Sequence, residues 1–162
     1  MTFQTGIGYD CHPFAAGRPL VLGGVEIDYD RGLVGHSDAD VLTHAVIDAL
    51  LGAAALGDIG QHFPDTDERY RGANSLELLG TAVAVLAERG FAVVHVDATV
   101  VIERPAVSPH RERIRGALAG ALGIVVENVS VKATRGEGMG FVGRGEGAAA
   151  LAVATVSSPT RA

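Results

Sequence analysis

Asp10, Cys11 and His12 stand side by side in GYDCHPF (8–14), and they allow two kinds of chemistry. A thiol beside an imidazole can serve as a nucleophile with its base. A carboxylate and an imidazole two residues apart can instead hold a cation between them. Side chains alternate across an extended chain, so Asp10 and His12 share one side and Cys11 points to the other. That separation favours the metal and leaves Cys11 as a small buried hydrophobe. A third ligand must come from further along, and the other histidines are His36, His44, His62, His95 and His110. His44 is the best placed, in the first turns of a capped helix and off its apolar stripe. Asp48 follows at i+4 on the same face, where it could fix the ring tautomer. Two imidazoles and a carboxylate with the fourth position open suit a catalytic Zn²⁺. A plain surface pair of His44 and Asp48 has the same spacing, and spacing alone leaves both readings standing. His95 and Asp97 repeat the alternation in mid-strand, where hydrogen bonding at a sheet face or subunit interface is expected.

Two further stretches could handle an anionic ligand. ATRGEGMGFVGRGEG (133–147) holds six glycines in fifteen residues, with Thr134, Arg135, Glu137 and Arg144 among them. Glycines allow backbone N–H groups close to a phosphate, and arginine presents a planar fork to its oxygens. The stretch matches neither a P-loop nor a dinucleotide fingerprint, and a tight connection between strands fits it equally. FPDTD (63–67) follows GDIG (57–60) in a turn-rich loop. Its carboxylates suit hydroxyls or Mg²⁺ better than phosphate.

The elements that must carry these groups follow from periodicity. Strands are expected at 3–11, bounded by Pro13, at 91–103, where the even positions Ala92 to Ile102 face a core, at 129–134 and at 148–156. A hairpin turns about Gly23-Gly24. Helices are expected from Asp38 to about Ala54 behind a Ser37/Asp40 capping box, from Ser75 to Arg89 before Gly90, and over 109–122 before Gly123. The pattern is that of an α+β domain, a small mixed sheet with helices on one face. It forms one domain over 1–157, with 158–162 as a flexible tail.

Composition narrows the function classes. The 162 residues carry a net charge of −6, with no basic stripe, which argues against nucleic acid. Twelve of the thirteen basic residues are arginines, and Lys132 is the only lysine. No apolar run approaches the ~20 residues of a membrane span. The N-terminus lacks the features of an export signal, and a single cysteine cannot make an internal disulfide. A cytoplasmic location is therefore expected.

Taken together, DCH (10–12), GHSDADVLTH (35–44), DALLGAAALGDIGQHFPDTD (48–67), VKAT (131–134) and GFVGRGEG (140–147) resemble the 2-C-methyl-D-erythritol 2,4-cyclodiphosphate synthase family. The blocks occur in the family's order through nearly the whole chain. The resemblance implies a homotrimer with active sites between subunits. It implies cyclisation of 4-diphosphocytidyl-2-C-methyl-D-erythritol 2-phosphate with release of CMP, in the non-mevalonate isoprenoid pathway. Asp10, His12 and His44 become the Zn²⁺ ligands, and Mg²⁺ or Mn²⁺ accompanies the substrate diphosphate. Substrate contacts fall to Asp10, Cys11, His12, His36 and Ser37, to Asp58, Ile59 and Gly60, and to the loop Phe63, Pro64, Asp65, Thr66 and Asp67. Ile102, Glu103, Arg104, Pro105, Ala106, Val107 and Ser108 become a cytosine pocket across the subunit boundary. Thr134, Arg135, Gly136, Glu137, Phe141 and Arg144 complete the phosphate and nucleotide side. His36 takes a catalytic role. Arg135 stands where the family usually has a second threonine, credited with stabilising the transition state. A guanidinium there brings more charge and more bulk, and it can also point to solvent. Ala39 replaces a common glycine.

Overall fold

The inward positions of the first strand include Gly6 and Gly8, while the outward ones include Phe3, Ile7 and Tyr9, and this contrast decides how a helix can pack there. In the computed structural model, which describes residues 1–160, β1 (Thr2–Ala16) pairs antiparallel with β7 (Gly147–Ser158). Past Pro13 it changes partner and runs beside β4 (Arg31–Leu33). Pro13 thus lies inside the strand rather than bounding it. It has no N–H to donate, and it sits at the change of partner, where its carbonyl accepts from Val34 N–H. β5 (Ala92–Val101) pairs antiparallel with β7 and parallel with β6 (Val129–Thr134), giving a mixed sheet of order β4-β1-β7-β5-β6. The short strands β2 (Leu20–Leu22) and β3 (Val25–Ile27) form the expected hairpin. Gly23 and Gly24 both have positive φ, 57° and 73°, as a tight hairpin turn of this twist requires.

One face of the sheet is covered. α1 (Val41–Ala53) lies along β1 and β7, α3 (Ser75–Glu88) packs on α1, and α4 (Arg111–Leu122) packs on α3 and β6. Val96, Ala98 and Val100 of β5 point into this core as expected. Ala92 and Val94 do not follow them. A register shift between Val93 and His95 makes Val94 the extra residue of a bulge, and the alternation changes phase there. The turn-rich loop that carries GDIG and FPDTD contains α2 (Ile59–His62) and leads into a 3₁₀ turn, Glu68–Tyr70. β7 runs through Ser158, one residue into the expected tail, and residues 161 and 162 of that tail lie outside the described residues. No helix among the described residues is long and apolar enough to cross a membrane.

The cap of α1 differs from the expected box. Asp40, fully buried, is the N-cap and accepts from Thr43 N–H at 3.0 Å and Thr43 Oγ1–H at 2.7 Å. The same carboxylate takes Gly23 N–H at 2.9 Å and Gly24 N–H at 2.7 Å, tying the hairpin turn to the helix start. Burial pushes its pKa up, and these hydrogen bonds pull against that. Ser37 is thereby released for another partner. Asp40→Ala strands four donors, three of them buried, and should cost about 3 kcal/mol or more. Its urea midpoint is expected to fall clearly below that of the unsubstituted protein, and an unchanged midpoint would contradict this role.

Candidate metal centre

The close fit of α1 on β1 creates the site. A Cβ built on Gly8 would stand 1.9 Å from the Ala45 carbonyl oxygen, and one on Gly6 would stand 2.2 Å from that of Ala49. The helix therefore lies almost on the strand backbone. His44, next to Ala45, is carried onto Asp10, two residues beyond Gly8.

Three donor atoms converge there. Asp10 Oδ2 lies 2.9 Å from His12 Nε2 and 3.0 Å from His44 Nδ1, and the two ring nitrogens are 3.2 Å apart. Nitrogen and oxygen ligands held tetrahedrally at bonds of about 2.0–2.1 Å are themselves about 3.3 Å apart. The observed triangle comes within a few tenths of an ångström of that spacing. The donor set fits a divalent cation with one position facing outward, the mixed imidazole and carboxylate ligation that suits zinc.

The charges agree with the geometry. Burial opposes ionisation of Asp10, but hydrogen bonds and positive charge from His12 and His44 outweigh it and hold its pKa at about 2. For His44, burial disfavours the imidazolium, yet the Asp10 hydrogen bond and the charges of Asp10, Asp40 and Asp38 raise its pKa above the ordinary value. Protons thus compete with a cation for this nitrogen to a higher pH than at a free imidazole. Zinc affinity should fall by about tenfold per pH unit below the His44 pKa for each proton displaced. Calorimetric zinc titrations between pH 6 and 8 check this, and a flat profile would contradict it.

The support around His44 is not the expected one. Its Nε2 faces Ser37 Oγ at 3.0 Å and Ser75 Oγ at 2.9 Å. Asp48 instead accepts from Ile59 N–H at 2.7 Å and fixes the start of α2. One helical turn brings Asp48 alongside His44, but the backbone donor of α2 claims its carboxylate.

A cavity of about 460 Å³ opens beside the triad. It is lined by Asp10, His12, His36, Ser37 and His44 together with Ile59, Gly60, Phe63, Pro64 and Asp65. Phe63 is held edge-on to Tyr70, with ring centroids 5.5 Å apart. His36 Nε2 is 3.1 Å from the Asp67 carbonyl oxygen, so this nitrogen donates and ties the loop to the wall. Asp58 caps α2 through Gln61 N–H at 3.0 Å, and the Asp67 carboxylate is engaged by Arg69 at 2.6 Å. Thr66 is exposed.

Other expected residues gather elsewhere. Residues 102–108 line a second cavity of about 280 Å³ together with Arg111, Thr134 and Arg135, and it shares no lining residue with the first. Gly136 N–H donates to the Glu103 carboxylate at 2.9 Å and holds this rim. Arg135 is exposed and reaches Glu137 at 3.3 Å. Phe141 and Cys11 border a third depression beside Glu146, which Arg144 engages at 2.7 Å. Cys11 is exposed rather than buried, because the long helices α1, α3 and α4 all pack on the other face of the sheet. Crowding explains part of the glycine content. A Cβ on Gly136 would meet Gly143 N at 2.4 Å, and one on Gly143 would meet Gly138 backbone at 2.3 Å. His95 is exposed, and Asp97 pairs with Lys132 at 2.6 Å on the open sheet face.

Spacing along the chain does not place Asp38, Ser75 or Tyr70 at the site, although Asp38 lies within HSDAD. Asp38 and Ser75 reach it through contacts between segments more than thirty residues apart. Tyr70 enters by packing on Phe63.

Comparison with known proteins points one way. Residues 3–157 match the YgbB family. A 2-C-methyl-D-erythritol 2,4-cyclodiphosphate synthase of Alkaliphilus oremlandii is 54% identical over 153 residues, covering 94% of this chain and 98% of that protein. The structure of the bifunctional IspDF from Campylobacter jejuni superposes with a TM-score of 0.94 at 41% identity, covering 98% of this chain and 43% of that one. A 2C-methyl-D-erythritol-2,4-cyclodiphosphate synthase solved in a CDP-bound form gives a TM-score of 0.87 at 34% identity, covering 95% of this chain and all of that one.

Proposed function

The chain belongs to the YgbB family, the 2-C-methyl-D-erythritol 2,4-cyclodiphosphate synthases of the non-mevalonate isoprenoid pathway, and on that premise we propose that Asp10, His12 and His44 hold the zinc ion of its active site. The substrate is 4-diphosphocytidyl-2-C-methyl-D-erythritol 2-phosphate. An oxygen of its 2-phosphate forms a bond to the β-phosphorus, the bond from that phosphorus to the bridging oxygen breaks, and CMP leaves with the bridging oxygen. The nucleophile is already ionised, so the protein needs neither a catalytic triad nor an activated thiol.

The observation that carries this reading is the convergence of three donor atoms within 3.2 Å of one another on the wall of a 460 Å³ cavity. When bound, zinc supplies Lewis-acid polarisation of a diphosphate oxygen, while Mg²⁺ or Mn²⁺ on the diphosphate offsets the charge of the departing CMP. The chain's own residues do the rest by positioning. His36 and Ser37 contact the folded substrate, and the Phe63–Asp67 loop covers the methylerythritol phosphate and excludes water. Asp58 and Gly60 lie at the ribose, with Ile59 a further substrate contact. Holding both ends of one molecule in line makes available an intramolecular advantage of about 7–11 kcal/mol.

The cytidine end is received by residues 102–108 with Thr134 to Glu137 of a neighbouring subunit. Two features support a homotrimer that joins the two cavities. They share no lining residue in one chain, and the open sheet face carries Phe3, Ile7, Tyr9, Leu151 and Val153, each at least 40% exposed. Tyr9 and Ile7 lie beside Leu151 and Val153 in register, so the patch is continuous and calls for cover. The expected location is the cytoplasm. Phosphorus NMR of the products after incubation with the cytidyl substrate, Zn²⁺ and Mg²⁺ tests the reading. One cyclic diphosphate plus CMP is expected, and two open-chain phosphates would mark a hydrolase instead.

A further inference from the structure

We propose that Asp38 and Ser75 form a relay that takes the His44 Nε2 hydrogen when a cation holds Nδ1, and so fixes the ring that faces Asp10 and His12. The inference rests on the reading of those three residues as a cation site. Ser75 is fully buried and grips Asp38 twice. Its N–H donates to Asp38 Oδ2 at 2.9 Å, and its hydroxyl donates to Asp38 Oδ1. Asp38 Oδ1 also accepts Asp40 N–H at 3.2 Å, so the carboxylate cannot swing away without losing a second backbone donor.

The consequence lies on the other side of Ser75 Oγ. A serine hydroxyl has one proton, and here Asp38 receives it. Only lone pairs remain to face His44 Nε2, 2.9 Å away. That contact is favourable when Nε2 carries hydrogen and repulsive when it does not. Ser37 Oγ, 3.0 Å from the same nitrogen, imposes no such choice, because its own proton is free to turn either way. Ser37 accepts Ala39 N–H at 3.3 Å and would serve either tautomer. Without a cation the Asp10 carboxylate, 3.0 Å from Nδ1, draws hydrogen to that nitrogen instead, so it is with a cation on Nδ1 that Ser75 backed by Asp38 receives the Nε2 hydrogen, and both are positioning residues. A ligating histidine whose second nitrogen is hydrogen-bonded to a carboxylate is a known means of fixing the ring, and here a hydroxyl is inserted between the two.

The test uses full-length Ser75→Ala and the milder Asp38→Asn, each compared with the unsubstituted protein by circular dichroism to confirm folding. Two quantities are measured. Zinc affinity, by competition with a chromophoric chelator, should weaken by about 10–100-fold in Ser75→Ala and in the same direction in Asp38→Asn. Ring ¹H–¹⁵N spectra of the zinc-loaded proteins should show a slowly exchanging His44 Nε2–H in the unsubstituted protein and a faster-exchanging one in Ser75→Ala. Weakened affinity with unchanged exchange of the Nε2–H would overturn the relay, as would zinc affinity equal to that of the unsubstituted protein. Failure of the unsubstituted protein to bind zinc would instead sink the cation site itself, so the two failures are distinguishable.

Discussion

His44→Ala is expected to reduce turnover by at least about 10³-fold while leaving the fold in place. The substitution removes one of three ligands, and with it the charge stabilisation of a bound cation, worth several kcal/mol in phosphoryl chemistry. The fold should survive because the imidazole contributes no apolar packing that the helix needs. α1 is anchored by its buried stripe, including Leu42, Ala45, Val46 and Leu50, and by Asp40 at its start. Product formation and zinc content measured on the same sample decide the matter. A variant that folds, loses zinc and loses turnover supports the assignment, whereas one that keeps both would remove His44 from the site.

Gly8→Ala should have the second largest effect, and on a residue that touches no substrate. The added methyl would stand 1.9 Å from a backbone carbonyl oxygen, and backbone cannot rotate aside as a side chain can. Helix and strand must separate, at a cost of about 3 kcal/mol or more. For a chain of this size that lowers the melting temperature by roughly 6–12 °C. The separation also draws His44 away from Asp10, so zinc content should fall with stability. Gly80→Ala is the control. Nothing lies within 4 Å of the place its methyl would occupy on α3, and a helical glycine to alanine change should raise stability by roughly 0.5–1 kcal/mol. If Gly8→Ala melts with the unsubstituted protein and binds zinc fully, the close approach has no such consequence.

The parts of this structure that could be read from sequence are those set by local periodicity. Alternation placed Asp10 and His12 on one side of β1 and Cys11 on the other, and the 3.6-residue repeat placed α1 on its buried face. The Gly23-Gly24 turn and the Gly123 stop, with φ of 69°, follow from the conformations that glycine tolerates. The misreadings share a different cause. Ser37 and Asp40 both suit a helix start, and only the buried hairpin turn, arriving from seventeen residues upstream, gives Asp40 the cap. Asp48 sits where a partner for His44 belongs, but Ile59 N–H claims it. Cys11 would be buried if both faces of the sheet were covered within one chain, and only one is. Ser75 and Asp38 meet across thirty-seven residues, a pairing that spacing does not encode.

X-ray absorption at the zinc edge of the loaded protein tests the cation site most directly. Two imidazole nitrogens and a carboxylate oxygen should appear at about 2.0–2.1 Å, with no sulfur near 2.3 Å. A sulfur shell would transfer the site to Cys11, and a shell of light oxygens without imidazole scattering would show that Asp10, His12 and His44 hold no zinc.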